Sequence, residues 1–143
     1  MLDPAPAATL PEELWSKVAW FTPNETEAAF YFEKDKTAEA AAQSLLLRGP
    51  RGIVLKRGAE GSFVAVEGGK SAWVSSLKVD AIDTVGAGDC FNGAFAVALL
   101  EGNHPWAAAW IASIAAAISV TRRGAQASMP TRADIQEFLA KRS

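Results

Sequence analysis

Asp83-Thr84-Val85-Gly86-Ala87-Gly88-Asp89 runs directly into Cys90-Phe91-Asn92-Gly93 and an alanine-rich apolar stretch. That order is a glycine turn feeding a helix, predicted here as a loop over 86–88 and a helix from about Asp89 to Glu101. Two glycines let the backbone approach a ligand closely and turn its amides inward. The helix behind them aims its free N–H groups and positive dipole end at the same place. Such a cradle suits phosphate oxygens, and above all a phosphoryl group in transit, whose negative charge must be held. Asp89 stands beside the cradle, where a carboxylate can accept the proton of an attacking hydroxyl. A plainer interpretation also fits these residues: a turn with an acid in the first helical turn, stabilising by about a few tenths of a kcal/mol. Two other phosphate loops do not fit. No Gly-Lys-Ser/Thr follows, as a P-loop requires, and Phe91 stands where the dinucleotide fingerprint needs its third glycine.

Outward from this stretch, helical and extended patterns alternate, which argues for an α/β fold. Gly102 suits the position after the first helix, and Pro105 suits the first residue of the next. Pro105–Val120 is the most apolar segment but falls short of the ~20 residues that span a bilayer, so a buried helix is expected. Thr131–Lys141 reads as a last amphipathic helix, with Thr131 as N-cap and Asp134 placed for a capping box. Toward the N-terminus, Thr37–Leu47 reads as an amphipathic helix, with Thr37 as N-cap and Gly49-Pro50 as the stop. Leu14–Phe21 ends in a short strand at Trp20-Phe21, and Thr22-Pro23-Asn24 signals a turn and a helix start, with Glu25 and Glu27 in its first turn. Gly52–Lys56, a short apolar run around Ile53-Val54-Leu55, reads as a buried strand. Phe63–Val66 and Ala72–Val74 flank Glu67-Gly68-Gly69-Lys70 as a hairpin. No repeat or internal domain boundary is evident, so residues 1–143 are taken as one domain.

The chain has 143 residues, 14 basic against 16 acidic, and a formal charge of −2. Such a balance gives no electrostatic reason to expect nucleic acid or an anionic membrane as partner. Its one cysteine, Cys90, allows no intrachain disulfide and suggests no cysteine-based zinc site. No signal peptide is visible, and a cytoplasmic location is expected.

The whole string around Gly86 resembles the C-terminal signature of the ribokinase family of carbohydrate kinases, the PfkB group. Three further segments resemble that family in the right order: Met1-Leu2-Asp3-Pro4-Ala5-Pro6-Ala7, Thr22-Pro23-Asn24-Glu25-Thr26-Glu27-Ala28 with its Asn-x-x-Glu pattern, and Thr121-Arg122-Arg123-Gly124-Ala125-Gln126-Ala127-Ser128-Met129-Pro130. The resemblance covers essentially the whole chain. It implies the C-terminal half of a three-layer, Rossmann-like fold with a mainly parallel sheet and a β-hairpin. It also implies ATP-dependent transfer of phosphate to a sugar hydroxyl, ribose first among candidates.

Asp89 is then the expected base and Gly86, Ala87 and Gly88 the anion hole. Asn24 and Glu27 lie one helical turn apart and face the same side. A carboxylate and an amide there can hold water ligands of Mg²⁺, which commonly keeps several waters; alone, Glu27 reads equally as a solvated first-turn acid. The Lys56-Arg57-Gly58-Ala59-Glu60-Gly61 loop is implied to pass close to the nucleotide, although by itself it is a plain strand-to-strand turn. A monovalent cation, K⁺, is implied at Asp83, at the carbonyls of Val85, Ser119, Arg122 and Gly124, and at Ser128. Ser113 stands where these enzymes commonly offer an asparagine beside the adenine; its shorter reach leaves adenine selectivity open. Cys90 reads as a small buried residue, and His104 as a helix cap or an exposed side chain.

Family members are about twice this length. Their N-terminal half carries a Gly-Gly-Lys-Gly-x-Asn-like sugar motif, early acidic residues and a β-sheet lid, and none of these occurs here. A nucleotide partner is therefore expected, and a sugar only if the missing half is supplied. Self-association or a separately encoded N-terminal half is expected to cover the surface left open. The alternative to an incomplete kinase is a non-catalytic nucleotide-binding or interaction module, or one half of a split enzyme.

Overall fold

A computed structural model describes residues 1–32 and 37–141. The chain resolves into two compact units, Met1–Val74 and Ser75–Ser143.

The first unit is built on a four-stranded sheet in the order β1 (Trp20–Phe21), β2 (Gly52–Lys56), β3 (Ser62–Val66), β4 (Ser71–Val74). β1 and β2 are parallel, whereas β2–β3 and β3–β4 are antiparallel. The α/β class stands, and the sheet is mixed rather than mainly parallel among the described strands. The cause is local: short turns join β2 to β3 and β3 to β4, and a short turn can only reverse the chain. The expected hairpin pairs Ser62 with Val74 and Ala65 with Ser71. Leu2 adds a parallel bridge beside Phe21, with its N–H on the Trp20 carbonyl at 2.8 Å.

Helix α1 (Glu12–Trp15), not expected from the pattern, is a single turn that carries Trp15 into the core. α2 spans Glu25–Tyr31 and α3 spans Ala38–Leu46. Thr37 caps α3 as expected, accepting from the Ala40 N–H at 3.2 Å. α3 buries Ala41, Ala42 and Leu45 and packs on β2 and β3. Trp15, Phe21, Ile53, Phe63 and Ala65 complete this core. Trp15, Phe21 and Tyr31 meet edge-on or tilted at 4.9–5.6 Å between ring centroids, a geometry that the ring quadrupoles favour.

The second unit is helical: α4 (Ala87–Leu100), α5 (Pro105–Val120) and α6 (Arg132–Ala140). α4 packs along α5, burying Phe91, Phe95 and Ala98 on α4 and Ala108, Ala112 and Ala115 on α5. Small residues on α5 let the helices come close. Pro105 opens α5 as expected. His104 occupies its N-cap without a side-chain hydrogen bond and stacks on Trp106 at 4.4 Å instead. Thr131 and Asp134 form the expected capping box of α6. Among the described residues, no helix is long and apolar enough to cross a membrane.

Candidate active site

In the second unit the glycine turn is sharper than the pattern suggests. Gly86 sits at φ 77°, ψ 2° as the N-cap of α4, so the helix begins at Ala87, two residues before the expected start. A left-handed N-cap leaves Ala87 and Gly88 inside the first turn. Asp89 therefore becomes the third helical residue, and it is exposed. A Cβ on Gly86 would lie 3.1 Å from the Ala125 Cα, so both the backbone angle and the neighbouring chain call for glycine. The Ala87 N–H turns back to the Thr84 carbonyl at 3.2 Å, and the Cys90 N–H closes the first helical bond on the Gly86 carbonyl at 2.9 Å. Between them the Gly88 and Asp89 amides belong to the helix end that has no intrahelical acceptor.

Asp83 braces this turn. Its Oδ1 accepts the Val85 N–H at 3.0 Å, and its Oδ2 accepts the Gly124 N–H across 41 residues at 2.9 Å. The Gly124 and Val85 bonds, with the nearby Arg123 charge, hold its carboxyl below the usual aspartate range. Asp83, Val85 and Gly124 thus meet in one polar cluster. Ser128 is buried in the following 3₁₀ turn, Gln126–Ser128, and donates its hydroxyl proton to the Ala125 carbonyl at 2.7 Å. A hydroxyl that has donated keeps its lone pairs, and carboxylate, hydroxyl and carbonyl oxygens form a donor set compatible with a hard cation. The Ser119 carbonyl accepts the Arg122 N–H at 3.0 Å, and its hydroxyl donates to the Ala116 carbonyl at 2.8 Å. The Arg122 side chain turns to Asp134, with Nη2 to Oδ1 at 3.0 Å. Ser113 is buried within α5. Cys90 is buried as expected; desolvation pushes its thiol pKa up, and a Ser119 hydrogen bond pulls part way back.

In the first unit, Asn24 and Glu27 face each other as a capping box. Asn24 Oδ1 accepts the Glu27 N–H and Glu27 Oε2 accepts the Asn24 N–H, both at 2.8 Å. A carboxylate offers about four lone-pair sites, so the cap leaves Glu27 with acceptor capacity for a metal-bound water. Lys56, at the end of β2, reaches Asp3 Oδ1 at 3.0 Å. Arg57 donates to Glu25 Oε1 at 2.8 Å and stands 3.6 Å from Glu60 and 5.9 Å from the Trp73 ring centre. Gly58, Ala59 and Glu60 form a 3₁₀ turn closed by Gly61 at φ 108°. Asp3, Glu25 and Trp73 were missed as site neighbours. Asp3 lies 53 positions from Lys56 and Glu25 lies 32 from Arg57, separations that no local pattern registers.

The profile described as "pfkB family carbohydrate kinase" matches residues 1–132. The ribokinase of Haemophilus influenzae is 43% identical over 143 residues, which is 97% of this chain and 46% of the relative. Among solved structures, a ribokinase from Thermotoga maritima superposes with a TM-score of 0.89 at 42% identity, over 96% of this chain and 48% of that one. The Arabidopsis thaliana ribokinase complexed with ribose and ATP superposes at 0.83 with 33% identity, over 90% and 43%. The chain spans about half the length of the relatives it matches.

Proposed function

The chain belongs to the pfkB family of carbohydrate kinases, and from that premise we propose that it supplies the nucleotide-holding and catalytic portion of an ATP-dependent sugar kinase. Both units are assigned to that one portion, and ribose, as in the Arabidopsis complex, is the proposed acceptor of the whole enzyme. The start of α4 carries the proposal: a left-handed Gly86, the amides of Gly88 and Asp89 at a helix N-terminus, and the Asp89 carboxylate at the third helical position. The acceptor hydroxyl attacks the γ-phosphorus while Asp89 takes its proton. The bond to the bridging oxygen breaks, ADP leaves, and the amides of the turn hold the charge on the transferring oxygens. Mg²⁺, held through water by Asn24 and Glu27, would neutralise phosphate charge. K⁺ against Asp83 and the Gly124 loop would hold the turn in place without entering the chemistry. The Lys56–Gly61 segment and Ser113 are the proposed neighbours of the nucleotide. The proposed location is the cytoplasm.

A second assignment is a nucleotide-binding module without catalysis, or one half of a split kinase. Reconstitution with an acceptor-binding half separates these. Asp89→Asn is expected to lower turnover by about 10²–10⁴ while ATP affinity stays within a few-fold; turnover near wild type excludes Asp89 as base. The chain alone, given ATP, ribose, Mg²⁺ and K⁺, is expected to form no sugar phosphate, because transfer needs the hydroxyl held within about 3–3.5 Å of the phosphorus.

A further inference from the structure

At the start of α6, Asp134 uses its two oxygens for different ends. Oδ2 accepts the Thr131 N–H at 2.7 Å and the Thr131 hydroxyl at 2.8 Å, and Oδ1 accepts Arg122 Nη2 at 3.0 Å. The capping box fixes the carboxylate, so its second oxygen meets the guanidinium without further ordering. None of the described residues of α6 is buried, and polar contacts hold its first turn: Asp134 to Arg122, and Arg132 to Glu101 at the end of α4. Arg122 in turn opens the loop that reaches the glycine turn. The Val120 carbonyl accepts the Ile82 and Asp83 N–H groups at 2.7 and 3.1 Å. The Gly124 N–H donates to Asp83 Oδ2 at 2.9 Å, and Ala125 Cα lies 3.1 Å from where a Cβ on Gly86 would stand. The stretch 120–125 thus meets the turn at three points, and the Arg122 side chain fastens that stretch to α6.

We propose that Asp134 and Arg122 are positioning residues for the phosphate-holding turn: their ion pair sets the 122–125 loop, and through Gly124 and Ala125 that loop sets Asp83 and Gly86. This role rests on the phosphate reading of the turn proposed above and names the side chains behind it. The plainer alternative is a staple that only holds α6 to the end of α5. Magnitudes separate the two. The paired side chains are 37% and 30% exposed, and an exposed ion pair contributes little to global stability. The Gly124 amide is more vulnerable. Its residue sits at φ 87° in an exposed loop, and glycine has the widest backbone freedom with which to leave its bond once the loop is released. Loss of the pair should therefore register in the loop and the turn, as a local opening, far more than in the melting of the whole chain.

The test reads three quantities on the isotopically labelled chain: exchange of the Gly124 amide with water, Mg²⁺·ATP affinity and melting temperature. Arg122→Met should speed Gly124 exchange at least ~tenfold and weaken Mg²⁺·ATP at least ~threefold, while melting shifts by no more than about 4 °C. Asp134→Asn should do the same, and the two changes together no more than either alone. Arg122→Lys should restore most of the loss, since an ammonium still meets the carboxylate. Thr131→Ala removes a cap hydroxyl and leaves the guanidinium its partner, so it should lower the melting temperature at least as much and disturb Gly124 and ATP less. Wild-type Gly124 exchange in Arg122→Met would overturn the proposal. So would a faster Gly124 with unchanged Mg²⁺·ATP affinity, or Thr131→Ala matching Arg122→Met in the loop. A wild-type chain that takes up no Mg²⁺·ATP would remove the phosphate reading alone, and Gly124 exchange would still decide whether the pair sets the loop.

Discussion

The two units present their candidate residues by opposite means. In the first, the charged side chains of the loop are closed onto acids of the same unit: Lys56 on Asp3, and Arg57 on Glu25 with Glu60 beside it. In the second, the candidate cradle is backbone, shaped by a left-handed glycine and braced by one carboxylate. A side chain already paired must exchange partners to meet a phosphate, at the cost of desolvating and reforming a charge pair. An amide at a helix N-terminus has no competing intrahelical acceptor. Phosphate recognition should therefore depend on the second unit's backbone more than on the first unit's cations. The cores differ as well. Aromatic rings fill the first, and alanine-lined helices close the second.

Phe21→Ala should strike the first unit hardest. Phe21 is fully buried against Trp15 and Tyr31, and removing such a ring costs about 3–5 kcal/mol. Urea denaturation measures the loss, and amide exchange should place it in β1–β3. Equal loss of protection in α4 and α5 would break the contrast between the cores.

Gly86→Ala should have a smaller effect on stability and a larger one on function. A left-handed alanine costs about 1–2 kcal/mol, and its Cβ would press on Ala125. ATP affinity should fall with it. An unchanged affinity would mean that the turn does not hold phosphate.

Acid should loosen the second unit by a still smaller amount. Asp83 and Asp134 both titrate below the ordinary aspartate value, Asp83 through the Gly124 and Val85 amides, Asp134 through Arg122 and then the Thr131 amide and hydroxyl. A depressed folded pKa contributes stability above the unfolded value of about 3.9. That contribution is lost as pH falls through the folded value, because the unfolded chain takes up protons first. Between pH ~5 and pH ~3 the unfolding free energy should drop, and Asp83→Asn should flatten part of the slope. An unchanged slope in that variant would show that Asp83 does not brace the loop.

Much of this was legible beforehand, where a local residue decides the outcome. Pro105 starts α5, Thr37 caps α3, Thr131 and Asp134 box α6, and Gly68-Gly69 turns the hairpin, each by its own backbone or short-range chemistry. The strand β2 was found at its full extent, since glycine and an apolar run bound it. The start of α4 was placed two residues late, because a glycine N-cap in the left-handed region carries no Ser/Thr/Asp/Asn signal. α1 was missed because four residues give no period to detect. Asp3 and Glu25, which pair with Lys56 and Arg57, were missed because they are non-local. The glycine turn was visible as spacing, whereas its brace from Asp83 to Gly124 emerges only when two distant loops meet.

The central claim is that the amides at the start of α4 receive the nucleotide's phosphates. A titration of Mg²⁺·ATP into the isotopically labelled chain, followed by amide shifts, tests it most directly. The account predicts the largest shifts at Ala87, Gly88 and Asp89, with smaller ones at Asn24 and Glu27. Saturable binding that leaves the amides of 86–89 unmoved would contradict it.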